Sequence, residues 1–251
     1  FLERIAALLG DYALRTPTET LMAKPDGAIP NDVARLKGAR FVHASESSEG
    51  KYLAEGFIKD ATGGDTISAR FMRAEWFDFR PEFKLWLLTN HKPVIRGTDS
   101  AIWDRIRLVP FPIRISDDAK DLHLAAKLEQ ELPGILNWAL AGCLAWQQVG
   151  LGMPEPVATA TGGYREEMDV CGAWLGECCE LNERAWTVAS VLYANYVGWA
   201  YRNNEDTMSQ RVFGMRLAER GFERGLRGHT NTRVWMGLRL AAESGFEPSS
   251  E

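Results

Sequence analysis

The chain has 251 residues, 45% of them hydrophobic and 25% charged, with a formal net charge of −5; this is enough to bury a core in one large domain plus a small one. No apolar run approaches the roughly 18 residues a membrane helix needs, and the N-terminus has no basic-then-apolar signal pattern, which argues against membrane and secreted classes. Of the four cysteines, Cys178 and Cys179 are adjacent while Cys143 and Cys171 stand apart, so neither a disulfide framework nor a C-x-x-C zinc pair is expected.

In chain order, residues 1–9 place Leu2, Ile5, Leu8 and Leu9 on one helical face. A chain opening in mid-helix reads as one trimmed at its start. Residues 24–30 form a Pro/Gly-bearing loop, and 31–36 a short helix entered through Asn31 and Asp32. Residues 40–44 (Arg-Phe-Val-His-Ala) read as a buried strand, and 49–62 as a helix stopped by Gly63-Gly64. Residues 66–79 mix β-branched and aromatic residues with Arg70 and Arg73, as a pair of strands would. A second buried strand, 84–89, ends on Asn90; a helix at 101–105 and a third strand at 107–111 follow. Residues 117–149 are helical with a break near Pro133-Gly134, and 150–156 (Gly-Leu-Gly-Met-Pro-Glu-Pro) make the best linker. The expected organisation is therefore an α/β core at 1–115, a helical extension at 116–150 and a helical module at 157–251.

In that last module, 187–203 is a helix with Leu192, Tyr196 and Trp199 on one face. A second helix, 209–220, has Ser209 as its cap and Gly221 as its stop, with Phe213 and Leu217 pointing inward. Residues 222–226 and 233–238 read as strands around a loop. Helix, turn, helix and hairpin is the winged-helix pattern, whose second helix enters the major groove of duplex DNA. Residues 201–240 hold eight arginines against four acids, a basic stretch in an acidic chain. Arg211, Arg216, Arg220 and Arg227 are the expected DNA contacts, the other reading being a winged helix used for protein contacts. His43 is expected in the core, and His229, on the wing, against phosphate or solvent.

The chemistry is expected where the strands of the first domain end, because open α/β sheets bind ligands beyond the carboxyl ends of their strands. Those ends carry Ser45-Glu46, Thr89-Asn90 and the Arg105/Arg107 pair. A carboxylate can hold Mg²⁺ or polarise an attacking water, and an amide can orient that water against a γ-phosphate. Taken singly, Glu46 also reads as a solvated loop acid and Asn90 as a turn former.

Four blocks in order change the weight of those residues: Leu-Lys-Gly-Ala-Arg-Phe-Val-His-Ala-Ser-Glu (36–46), Ile-Lys-Asp-Ala-Thr-Gly-Gly-Asp-Thr-Ile-Ser-Ala-Arg (58–70), Phe-Lys-Leu-Trp-Leu-Leu-Thr-Asn-His-Lys-Pro (83–93) and Gly-Thr-Asp-Ser-Ala-Ile-Trp-Asp-Arg-Ile-Arg-Leu-Val-Pro-Phe (97–111). Together they resemble the superfamily 3 helicase core of the phage/plasmid primase–helicase family, related to the poxvirus primase–helicase. A weaker resemblance trails over nearly the whole chain, with 211–222 its best block in the tail.

The resemblance implies an AAA+-like fold, here without its first strand and phosphate-binding loop, followed by a helical region and a winged helix. It implies ATP-dependent unwinding of DNA in replication, with ATP and Mg²⁺ bound, in the cytoplasm of a bacterial host. Glu46 matches the Walker B acid that holds Mg²⁺-ATP, with Glu49 as a helper, and Asn90 matches the motif C sensor. Arg105 matches the arginine finger that reaches a neighbouring subunit's ATP. Asp104 stands where the family often has a second arginine, which leaves Arg107 as the alternative finger. Lys59, Arg70 and Arg73 match a block leading into a hairpin that grips single-stranded DNA. The partners implied are single-stranded and duplex DNA, a homo-oligomeric ring (a hexamer in relatives) and a primase domain upstream.

No G-x-x-x-x-G-K-[ST] occurs in the 251 residues. In the family that loop ends just before a Phe-Leu helix, and this chain begins Phe-Leu-Glu-Arg-Ile. The expectation is a chain that starts directly after the loop and does not hydrolyse ATP by itself. Two other readings stand beside the motor. One is a non-catalytic DNA-binding replication initiator or regulator working through the winged helix; the other is an ATPase for DNA packaging.

Overall fold

The computed structural model describes residues 1–24, 31–45, 49–97, 99–229 and 231–241. The chain divides into two compact units, Phe1–Gly162 and Gly163–Glu251. The division falls in a Gly-Gly step within a helix, a few residues beyond the Pro/Gly stretch at 150–156 that marks a linker in the sequence.

The first unit is a mixed α/β structure whose order is α1 (Leu2–Leu9), β1 (Ala13–Arg15), α2 (Asn31–Ala34), β2 (Phe41–Ser45), α3 (Glu55–Gly63), β3 (Ile67–Ala69), β4 (Phe77–Phe79), β5 (Lys84–Leu88), α4 (Ser100–Trp103), α5 (Leu124–Gln130) and α6 (Leu132–Val149). A further helix, α7 (Glu155–Glu167), runs across the division. Strands β1, β2 and β5 form one parallel sheet in the order β1-β2-β5. The central strand β2 is buried along Phe41–Ala44, with His43 among the core residues as its sequence context implies. Parallel neighbours need long crossovers. The β2–β5 crossover carries α3 and an antiparallel hairpin of β3 with β4. Val33, Leu36, Val42, Ala61, Ile67, Phe79 and Phe83 pack as one cluster, so α2, α3 and the hairpin are fixed against the central strand.

Two local expectations need correcting. Residues 84–89, expected as a buried strand, form β5, but its residues alternate between exposed and half-buried. Residues 107–111 are not a strand; they are irregular. Pro110 within the segment and Pro112 just after it each lack a backbone donor, and no strand flanks the segment among the described residues. The third strand is instead β1, only three residues long, which is too short to show an alternating pattern. The break in the 117–149 helical segment lies at Glu131, near Pro133-Gly134 as expected. Pro133 sits in the first turn of α6, where its missing N–H costs nothing.

The second unit continues with α8 (Val170–Cys178), β6 (Cys179–Val188), α9 (Ala189–Arg202), α10 (Gln210–Glu219), β7 (Arg224–Arg227) and β8 (Thr232–Leu240). Its antiparallel sheet has the order β6-β8-β7. The helices, their cap and the hairpin agree with the sequence: the Ser209 side chain accepts from Val212 N–H, and Gly221 has a positive φ of 87°. Strand β6 was not legible, since its middle is polar and bulged, with the register to β8 shifting between Leu181 and Trp186.

An aromatic cluster holds this unit together. The rings of Tyr196 and Phe213 stack at 4.9 Å, and Trp174 meets Phe213 edge-on at 5.2 Å. The Trp174 indole N–H donates to Asn195 Oδ1 at 2.8 Å, both residues being buried. Burial pushes the Cys171 thiol up to about 11 and Cys179 up to about 12, so both stay protonated at neutral pH and neither is a ready nucleophile. Replacing Asn195 with Ala strands a buried indole donor and is expected to cost about 1–3 kcal/mol, read as a lower midpoint in urea denaturation.

Candidate functional site

Because β1, β2 and β5 are parallel, they all run out at one edge of the sheet. The register sets Arg15 opposite His43 and Ser45 opposite Leu88. Beyond these ends lies a set of polar groups. The Arg15 guanidinium donates to Ser45 Oγ at 3.0 Å, and Thr18 Oγ1 donates to the Ser45 carbonyl at 3.0 Å. The Thr16 N–H donates to the His43 carbonyl at 2.9 Å, and the hydroxyls of Thr16 and Thr20 lie 3.0 Å apart. Thr16, Thr18 and Thr20 are all buried. The segment after β1 thus clamps the end of β2. No motif in the sequence marks these residues as a clamp, although the Thr-x-Thr-x-Thr spacing at 16, 18 and 20 is a visible signal.

Ser45 directly precedes Glu46, which lies outside the described residues. Asn90 follows β5 by two residues and is exposed in a turn where the Thr89 hydroxyl both donates to the His91 carbonyl at 2.7 Å and accepts from its N–H at 3.1 Å. Glu49 is exposed in a turn before α3. The strand leading to Glu46 and the strand leading to Asn90 therefore end side by side on the same edge.

From that edge the chain returns to α4 through a loop held by Glu55 of α3. Its Oε1 accepts from the N–H of Arg96 at 2.7 Å and of Gly97 at 2.8 Å. A Cβ at position 97 would lie 2.3 Å from Glu55 Oε2, so only glycine permits this approach. Asp99 caps α4 by accepting from Ile102 N–H at 3.1 Å and pairs with Lys59 at 3.0 Å. The Lys59 hydrogen bond holds the Asp99 carboxyl below the ordinary carboxylate value. Lys59, expected to touch DNA, thus already has an intramolecular carboxylate.

Arg105 follows α4. It is exposed, donates to the Ala101 carbonyl, and lies beside Gly63 at the end of α3, 3.4 Å from where a Cβ would stand. Arg107 is exposed and donates to the Asp104 and Ile106 carbonyls, each at 2.9 Å. The polar groups of the sheet edge come together, and α3 is separately tied to α4 beside Arg105. Arg70 stacks over Trp76 at 4.9 Å, and Arg73 is exposed with a positive φ of 61° in the turn between β3 and β4.

The arginines of the second unit divide into two kinds. Arg216 pairs with Glu219 at 2.8 Å, and Arg220 pairs with Asp169, which also caps α8. Arg211 is exposed on α10, and Arg227 is exposed on β7, its guanidinium 5.8 Å from the Trp186 ring. The outward surface of α10 also shows Val212 and Met215.

Chemically, the sheet edge offers a side-chain amide, hydroxyls and a guanidinium, a set that can orient water and bind oxyanions. Among the described residues no group of three or more His, Cys, Asp or Glu is placed to hold a metal ion; a magnesium ion carried on phosphates needs only one or two protein carboxylates. Among the described residues no helix is long and apolar enough to cross a membrane.

The class defined so far is an α/β protein with a polar carboxyl edge on a parallel sheet, joined to a helical unit with an antiparallel sheet. No family model matches the chain. It is similar to "Putative helicase 022R" of Frog virus 3 (isolate Goorha), 28% identical over 228 residues, which is 82% of this chain and 23% of that protein. It is also similar to "Putative helicase L207/L206" of Acanthamoeba polyphaga mimivirus, 30% identical over 192 residues, 69% of this chain and 20% of that one. "Putative helicase 184R" of Invertebrate iridescent virus 6 is 32% identical over 122 residues, 46% of this chain and 13% of the viral protein. The chain spans 23% and 20% of the length of the first two. These similarities to helicase-named proteins of large DNA viruses support a helicase family.

Two outcomes follow from this geometry. Glu55→Ala frees the N–H groups of Arg96 and Gly97 and is expected to lower stability by about 2 kcal/mol, measured by thermal unfolding. Because the folded Asp99 value is depressed, its pairing contributes fully above roughly pH 4 and is lost as pH falls through the lowered value. Lys59→Met should move the Asp99 titration upward toward the ordinary carboxylate range, as followed by carboxylate NMR.

Proposed function

We propose that these residues belong to an ATP-dependent replicative DNA helicase of the superfamily 3 kind, of phage- or plasmid-type primase–helicase design. What supports the reading is the in-register parallel pairing of β2 with β5. It runs the strand that leads to Glu46 and the strand that leads to Asn90 out at one edge, where a nucleotide site of this class requires an acid and an amide. The helicase-named viral relatives support it independently.

In this reading ATP with Mg²⁺ is the substrate, and its phosphate cradle comes from residues beyond these 251. Glu46 polarises the attacking water and holds Mg²⁺, with Glu49 as a helper, and Asn90 orients the water. Arg105, exposed beyond α4, offsets phosphoryl charge at a neighbouring protomer's site; Arg107 is the alternative. The protomers assemble head to tail into a ring, as a finger donated in trans requires. Arg70 and Arg73 on the β3–β4 hairpin, together with Lys59 of α3, attract single-stranded DNA. The second unit acts as a winged helix whose Arg211 and Arg227 contact duplex phosphates, with Arg216 and Arg220 adding to the same basic field.

The test uses the full-length polypeptide. DNA-stimulated ATP hydrolysis and strand separation are expected. Asn90→Ala should nearly abolish turnover, and Arg105→Ala should reduce it by about 10³-fold while leaving nucleotide binding. Mixing Arg105→Ala with Glu46→Gln subunits should restore part of the rate, because each variant supplies the half of the site the other lacks. Wild-type turnover by Asn90→Ala would overturn the assignment. No recovery on mixing would remove the finger in trans, and loss in Arg107→Ala alone would move the finger to that residue.

A further inference from the structure

The connection between β3 and β4, residues 70–76, exposes three large apolar side chains in a row of seven: Phe71 is 44% exposed, Met72 64% and Trp76 55%. Loops of this length are normally polar, and aromatic surface left in water needs a reason. The loop is anchored. The Met72 N–H donates to Asn31 Oδ1 at 3.1 Å, the Phe71 ring meets Phe77 at 5.8 Å, and Phe77 meets Phe79 of the buried cluster at 6.1 Å. Cations accompany the rings: Arg70 lies over Trp76 at 4.9 Å, Lys37 over Phe77 at 4.8 Å, and Arg73 stands at the turn.

We infer that this loop is a stacking site for the bases of single-stranded DNA, with Trp76 as the platform and Phe71 as a second ring. This deepens the proposed function and rests on it. Alternating π-faces and guanidinium groups are what a strand of unpaired nucleotides binds: the rings take bases of any sequence, and the cations take the phosphates between them. The two kinds of contact separate by experiment, because a base can be removed while its phosphate stays. A lysine or arginine contact does not notice the loss; a ring contact does.

The measurement is fluorescence anisotropy of the full-length protein with labelled oligothymidylate and with an abasic strand of the same length. Trp76→Ala should weaken oligothymidylate binding by about tenfold and leave the abasic strand unchanged, whereas Trp76→Phe should retain most of the affinity. Arg73→Ala should weaken both strands alike. Unchanged oligothymidylate binding by a folded Trp76→Ala protein, checked by its thermal melt, overturns the stacking site while leaving the helicase reading intact. Equal loss on both strands, or failure of Trp76→Phe to rescue, assigns Trp76 to hairpin structure and also overturns it. No single-stranded DNA binding by the wild-type protein would sink both.

Discussion

Parallel pairing of β2 with β5 is the constraint on which the first unit depends. A parallel pair cannot be closed by a tight turn, so the chain between the two strands must travel the length of the sheet and return. That return path is α3 and the β3–β4 hairpin, and the cluster of Val42, Ala61, Ile67 and Phe79 holds it against the central strand. Because both strands point the same way, their polar ends collect at one edge. An antiparallel pairing would send Ser45 and Leu88 to opposite ends and leave no common edge to build on.

The edge is then stiffened by short-range polar contacts. Three buried threonines after β1 tie the end of β2 in place, and the loop that leads from β5 into α4 is held by the Glu55 carboxylate together with backbone bonds of Val94 to Lys51 and Leu53. Glu55 accepts two backbone hydrogen bonds, and its close approach to residue 97 depends on the absence of a side chain there. Arg105 owes its position beside the end of α3 to this chain of contacts, so the geometry of an exposed guanidinium is set by an interaction made one helix away.

In the second unit the organising contact is apolar. Trp174, Tyr196 and Phe213 interlock, and Asn195 satisfies the one indole donor that this packing would otherwise strand. The arginines around that core illustrate how charge and availability differ. Arg216 and Arg220 look, in sequence, like Arg211; in the structure they are bound to Glu219 and Asp169. A cation paired at home contributes to the field around the protein but must give up a partner before it can grasp a phosphate.

Elements that rest on local rules are legible in the sequence: the buried strand at 40–44, the existence though not the burial of the strand at 84–89, the capped helix beginning after Ser209, and the hairpins at 66–79 and 222–238, since periodicity, caps and turn residues act within a few positions. The sequence also located Asn90 directly beyond a strand end. Which strands are neighbours and which charges are taken depend on the folded chain. Strand β1 is too short to carry a pattern, and 107–111 has a strand-like composition yet, with Pro110 inside it and no neighbouring strand among the described residues, is irregular. Glu55 and Lys59 are unremarkable helix charges until loop residues some forty positions away meet them. Pairing partners and ion pairs are set by long-range contacts, and no window of sequence contains both halves of such a contact.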